Sequence, residues 1–379
     1  MTTVLLTRQP VLNRRKTIIA NRLLVHAEDG GKAADELNAL IDAWPAKLPV
    51  LVSLHGSDQG LELMNWIAPE NTIVEIEAGA ANTPITRELL TQLADAGTAF
   101  CLSDYTGTEA VDSSHKYQYL LARQNVSPKD LPAQGMPIAI GVRSPGEFDA
   151  AMAAGYGGAA GWFMMATSAS GRSLQAAHAH IVRIINLVRR NAEVREIETA
   201  LKRDVALSFK LLRYINSAGF GLMCEVQSFR HAVSILGYDK LNKWLSLLLV
   251  TASKDPTASA LMQTSITRGR LMETLGERYV DKSELDNLFV TGAFSMLDRL
   301  LGTQMDAIVA ELSLPEPVQD ALLDREGAYT PLLRLARACE LETPATLAEH
   351  AALLGLDASA VNRAHLSALA YADSLQHGG

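Results

Sequence analysis

Glu75 lies inside the β-branched run IVEIEA and Asp104 inside AFCLSDY, two acids on what should be neighbouring strands. Hard divalent cations need several oxygen ligands of this kind. Two acids alone are a thin set. The histidines do not add to it. His178 and His180 are two apart, so on a helix they point to nearly opposite sides and cannot share a metal. His231 has no acidic neighbour in sequence, His350 and His365 stand singly, and His377 belongs to a terminal His-Gly-Gly expected to fray. Glu196 and Glu198 are spaced i, i+2 and face apart on a helix, which rules out an acid/base couple. No G-x-S-x-G elbow and no Walker loop occurs. GYGGAAG at 155–161 lacks the lysine and the helix start of a phosphate loop and reads as a structural turn.

The elements around these residues follow two rhythms. In the first half strands alternate with amphipathic helices. LPVLVSL (48–54), IVEIEA, AFCLSDY and PIAIGV (137–142) read as strands, GGAAGWFM (157–164) begins another, and MTTVLLTRQP reads as a first one. Thr83-Pro84 opens a helix carrying a stripe of Ile85, Leu89, Leu90 and Leu93, and Gly97 stops it. Ser144-Pro145-Gly146-Glu147 is a capping box before a helix that turns Phe148 and Met152 inward and ends at Gly155. Strand–helix alternation implies a parallel sheet with right-handed crossovers. Six or seven strands in so short a segment suit a small or incomplete barrel, since eight-fold barrels run to about 250 residues. After TSASGRS (167–173) the periodicity is helical only. It shows in Ile181, Ile184, Ile185 and Val188, then in Leu207, Leu211, Leu212 and Ile215, and again in Leu241, Leu245 and Leu248. The expected domains are 1–170, α/β, and 174–379, all-α.

Composition narrows the function classes. Hydrophobic residues make 48% and charged residues 20% of 379, which fits folded domains rather than disorder. The net charge of −8 carries no block of one sign, and the basic clusters Arg14–Arg15–Lys16 and Arg189–Arg190 have no interleaved aromatics, so a nucleic-acid surface is not expected. SLLLVTAS (246–253) is too short to span a membrane, and the N-terminus has its apolar stretch before its positive charges, the reverse of a secretory signal. Cys101, Cys224 and Cys339 are far apart and flanked by apolar residues, as buried thiols of a reducing cytoplasm are.

The stretch DVALSFKLLRYINSAGFGLMCEVQSFRHAVSILGYDKLNKWL (204–245) resembles the signature of an HDOD domain. Asp204, Leu207, Leu211, Leu212, Asn216 and Ser217 match its first part, and Ser228, Ala232, Leu236 and Gly237 its second. In LFVTGAFSMLDRLLG (288–302), Ser295 and Met296 fall where HD-type phosphohydrolases carry histidine and aspartate. The first half resembles a short, degenerate EAL domain, the fold of cyclic-di-GMP phosphodiesterases. Gln9-Pro10 matches its opening strand, Arg22 stands in place of its name-giving glutamate, and Ser53 in place of a metal-binding asparagine. Glu75 keeps a ligand glutamate, Ser103-Asp104 keeps one carboxylate of two, Arg123 stands for a lysine, and Ile140 and Arg143 fall where a later strand carries glutamates.

These resemblances imply a shortened EAL-type (β/α) barrel followed by an HDOD helical bundle. They also imply a cytoplasmic bacterial signalling scaffold with no catalytic residue, metal or cofactor. Arg22 would pair with Glu75 or Asp104. A structural role or partner contact is expected for Asp204, Asn216, Ser217 and Gly237. Protein partners are expected, and neither membrane nor nucleic acid is. A homo-oligomer, a cyclic dinucleotide bound without cleavage and, as the least favoured alternative, an active phosphodiesterase stay open.

Overall fold

The computed structural model describes residues 4–55, 65–107, 109, 115–132, 134–166, 176–202, 229–251, 258–341 and 343–376. The chain forms two compact units, one of Met1–Ser168, Asp255–Gln263 and Arg334–His377, the other of Ala169–Lys254, Thr264–Leu333 and Gly378–Gly379.

The first unit is built on a closed barrel in the order β1 to β8. Its strands are β1 (Leu5–Asn13), β2 (Ile18–His26), β3 (Val50–His55), β4 (Thr72–Glu77), β5 (Ala99–Ser103), β6 (Tyr117–Arg123), β7 (Met136–Ile140) and β8 (Gly158–Ala160). Six or seven strands are too few: the described residues hold eight. The sheet is parallel only from β2 onward, because β1 runs antiparallel to both β2 and β8. Two economies let eight strands close in so short a segment. The β1–β2 link is a tight turn, which absorbs the basic cluster Arg14–Arg15–Lys16, and β8 is three residues long. Gly158 makes β8 possible, since a Cβ there would lie 2.3 Å from the Leu12 carbonyl oxygen on β1.

Among the described residues the barrel's crossovers carry α1 (Gly30–Ala39), α2 (Pro84–Asp95) and α3 (Pro145–Ala154). Thr83 caps α2 and Ser144 caps α3 through their side-chain oxygens, each with proline following, and Gly155 ends α3 in the left-handed region. The α2 stripe differs from expectation in one place. Ile85 is 54% exposed, and Thr86 is buried beside Leu89, Leu90 and Leu93. With Thr83 as the cap, the inward face starts at the third helical residue, not the second. The barrel interior is packed by Val11, Ala20, Leu51, Ile73, Cys101, Tyr119, Leu121, Ile138 and Ala160.

After the barrel the described chain is helical throughout. The helices are α4 (Ala176–Arg189), α5 (Val194–Lys202), α6 (Phe229–Thr251), α7 (Ala258–Gly276), α8 (Leu285–Phe294), α9 (Leu297–Leu301), α10 (Met305–Glu311), α11 (Glu316–Leu322), α12 (Thr330–Leu341), α13 (Pro344–Leu353) and α14 (Ala358–Gln376). Ile181, Ile184, Ile185 and Val188 are buried along α4, as are Leu241 and Leu245 on α6. No helix of the described residues is long and apolar enough to cross a membrane. In the barrel unit α13 and α14 pack on β1.

Candidate functional site

Side chains on a strand alternate between faces, so each residue two positions from the barrel core lies one layer further along the same interior. Gln9 is two before Val11. Arg22, Ser53, Glu75, Ser103, Arg123 and Ile140 are each two beyond Ala20, Leu51, Ile73, Cys101, Leu121 and Ile138. These positions therefore share a polar layer above an apolar floor, at the end of the barrel where the parallel strands finish.

Arg22 organises that layer. Its Nε donates to Glu75 Oε2 at 2.7 Å and its Nη2 to Oε1 at 2.5 Å, a two-pronged fork on one carboxylate. Nη1 donates to Gln9 Oε1 at 3.2 Å, where Gln9 and Arg22 face each other in the β1–β2 register. Both charged partners are buried, at 7% and 4% exposure. Burial pushes the Glu75 pKa up, but the Arg22 charge and fork, helped by the Ser53 and Ser103 hydroxyls, more than offset this and hold it below the usual value. Burial likewise opposes the charge on Arg22, and Glu75 more than restores it.

Asp104 leaves the layer. It lies one residue past the end of β5 with a φ of 51°, is exposed, and reaches Arg123 at 3.7 Å instead of Arg22. Of the two expected partners for Arg22, the structure selects Glu75. Ile140 is half-buried against the core and Arg143 is exposed. Among the described residues no cluster of three or more His, Cys, Asp or Glu is placed to hold a metal. What the layer offers is one carboxylate with both oxygens taken, two hydroxyls and an amide, a poor donor set for two hard cations.

One step further toward the mouth is a pair the sequence reading passed over. His26 and His55 are neighbours in the β2–β3 register and stack with ring centroids 5.6 Å apart. His26 Nε2 meets Thr7 Oγ1 at 2.9 Å, and His55 Nε2 meets Ser53 Oγ at 3.0 Å. Burial, with the neighbouring ring, lowers the His26 pKa to about 4. Burial and then Arg22 lower that of His55. The signal was available, since His55 is two residues beyond Ser53 and so belongs to the same face.

In the helical unit Asp204, Asn216 and Ser217 lie outside the described residues. Gly237 adopts φ 70° and ψ 175° inside α6, breaking it into two helices. That left-handed φ favours glycine. Ser295 and Met296 follow α8 and are buried. Arg268, buried on α7, reaches both: its Nη1 lies 3.1 Å from Ser295 Oγ and 3.1 Å from Met296 Sδ. The approach of α7 and α8 is set by two glycines. A Cβ on Gly269 would fall 2.7 Å from the Phe289 carbonyl oxygen, and one on Gly292 would fall 2.5 Å from the Arg268 carbonyl carbon. Sequence reading missed Arg268; only this crossing brings it to Ser295 and Met296.

Comparison with known proteins assigns residues 174–306 to the HDOD domain. The cyclic di-GMP phosphodiesterase CdgJ of Vibrio cholerae is 32% identical over 161 residues, 42% of this chain and 37% of that protein. The chain thus spans well under half of that relative's length. Bacillus subtilis YuxH, described only as an uncharacterized protein, is 23% identical over 98% of both chains. Among solved structures, the PaMucR phosphodiesterase in complex with c-di-GMP covers 42% of this chain at 14% identity with a TM-score of 0.34.

Proposed function

We propose that this chain is a non-hydrolysing signal-transduction protein, its first unit a degenerate EAL-type barrel and its second an HDOD module that contacts protein partners in the cytoplasm. The observation that carries this reading is the Arg22 fork on Glu75. A guanidinium closes both oxygens of the one buried carboxylate in the layer, where a two-metal hydrolase needs them open. In the helical unit Arg268 lies between Ser295 and Met296, the positions aligned with the HD pair. A serine and a thioether are poor ligands for a hard cation.

The test is a hydrolysis assay of the full chain with cyclic di-GMP and magnesium or manganese, run beside isothermal titration. No turnover is expected, from the parent or from Glu75→Ala. Turnover that Glu75→Ala abolishes would overturn the proposal. Binding without turnover would make the barrel a sensor. That sensor would have to use the exposed Arg123 and Arg143, because Arg22 is already engaged by Glu75.

A further inference from the structure

The barrel is closed by a strand too short for its neighbour. β8 pairs with β1 only along Val11–Asn13, and beyond that Gly161 donates its backbone N–H to the Pro10 carbonyl at 3.1 Å. The seam-side edge of β1 then continues without a strand opposite it, and side chains take over. Trp162 Nε1 donates to the Arg8 carbonyl at 3.0 Å. Asn362 on α14 accepts from the Leu6 N–H at 3.0 Å and donates to the Val4 carbonyl at 3.0 Å. Its amide offers the edge one acceptor and one donor, as a peptide group of a ninth strand would.

The face of α14 that covers the seam is unusual for a packed helix. Leu366, Leu369 and Ala372 are buried, but so are Asn362, His365 and Asp373. Arg8, fully buried on β1, donates through Nε to Asn21 Oδ1 at 2.9 Å and through Nη2 to Gln263. Gln263 in turn donates to Asp373. His365 lies within this cluster with Arg8 opposing any charge on it, and neither ring nitrogen finds a partner of ordinary length and angle among the described residues.

We infer that α14 is a detachable strap over the barrel seam, docked while His365 is neutral and released as His365 takes up a proton. The remaining charged groups around it are Glu36 on α1, which accepts from Asn362, Asp42, which holds Arg363 of the strap at 2.6 and 2.7 Å, and Asp373 on the strap itself. α13, packed on both α14 and β1, adds Glu349 and His350, neither of them buried.

Burial, and then Arg8, pushes the docked His365 down to about 3 from its ordinary 6.5, with the Leu6 backbone weakly favouring the proton. A lowered histidine value means that docking is at full strength above pH 6.5 and weakens as the pH falls below it, by about tenfold per pH unit.

Hydrogen exchange of the full chain, corrected for intrinsic rate, tests this. From about pH 7.5 to 5.5, peptides covering 4–9 and 358–376 should lose protection about tenfold. His365→Leu should abolish that loss. Asn362→Ala should reduce protection of the Leu6 amide by up to about tenfold at both pH values and leave the pH dependence in place. Seam peptides equally protected at both pH values would overturn the inference, as would a loss persisting unchanged in His365→Leu or a Leu6 amide indifferent to Asn362→Ala. Should His365→Leu fail to fold, His365→Met serves as the same non-titrating replacement. His26→Phe, at the barrel mouth, should leave the seam's response intact, and its disappearance in that variant would equally count against the strap.

Discussion

Arg22 and Arg268 are two buried arginines in two different units, and they differ in what they meet. Arg22 is matched by a carboxylate across three strands, so its charge is answered and its geometry is fixed by a fork. Arg268 reaches, among its contacts, a hydroxyl and a thioether. These polarise toward a cation without carrying charge. In the barrel layer Arg22 closes an ion pair. In the helical unit the helix crossing decides how close Arg268 comes to Ser295 and Met296. The first arrangement depends on pH through its acid; in the second, packing sets the distances.

The largest break in this comparison comes from Arg22→Leu. Removing one partner of a buried pair leaves an uncompensated Glu75 and should cost about 3–5 kcal/mol in urea denaturation at neutral pH. Adding Glu75→Leu should recover most of that, since no charge then stays buried. The penalty should also shrink in acid. Glu75 has its pKa lowered by folding, so the pair stabilises above the carboxylate's ordinary value of 4.5 and its contribution is lost as the pH falls through the lowered one.

Next in size is Gly292→Ala. Its methyl would meet the α7 backbone at 2.5 Å, and forcing the helices apart should cost about 1–3 kcal/mol, read in the same titration. Arg268→Met should cost about 1.5–3 kcal/mol, the range for hydrogen bonds to a charged group. Smallest is Arg123→Ala. The Asp104 pair is 3.7 Å long with both side chains at least half exposed, so stability should change by under about 1 kcal/mol.

The barrel layer was readable in advance because it has a period. Gln9, Arg22, Ser53, Glu75, Ser103 and Ile140 each sit two residues from an apolar position, and a motif fixed the strands they belong to. Asp104, which the resemblance set beside Glu75, falls one residue beyond β5, where alternation no longer governs direction. The strand count fell short at β2 and β6, because IIANRLLVH and YQYLLAR run apolar residues together where a strict alternation would have marked a strand; β8 was expected within GGAAGWFM, and its place beside β1 comes from the close approach that Gly158 permits. Asn362, His365 and Asp373 were visible as polar interruptions in an otherwise apolar helix face, but nothing local says that they answer to Val4, Leu6 and Gln263. Arg268 was harder still, because no period links α7 to Ser295.

The amide of Asn362 joins positions 356 residues apart in the chain. During synthesis at about 5–20 residues per second, β1 leaves the ribosome roughly 20–70 s before the residue that covers its edge. For that interval the Leu6 N–H and the Val4 carbonyl lack the side-chain amide that takes them in the folded chain. The seam of the barrel is therefore covered only once α14 has been made. Its last step waits for the far end of the chain, and an exposed edge of this kind is where a holding chaperone would be needed most.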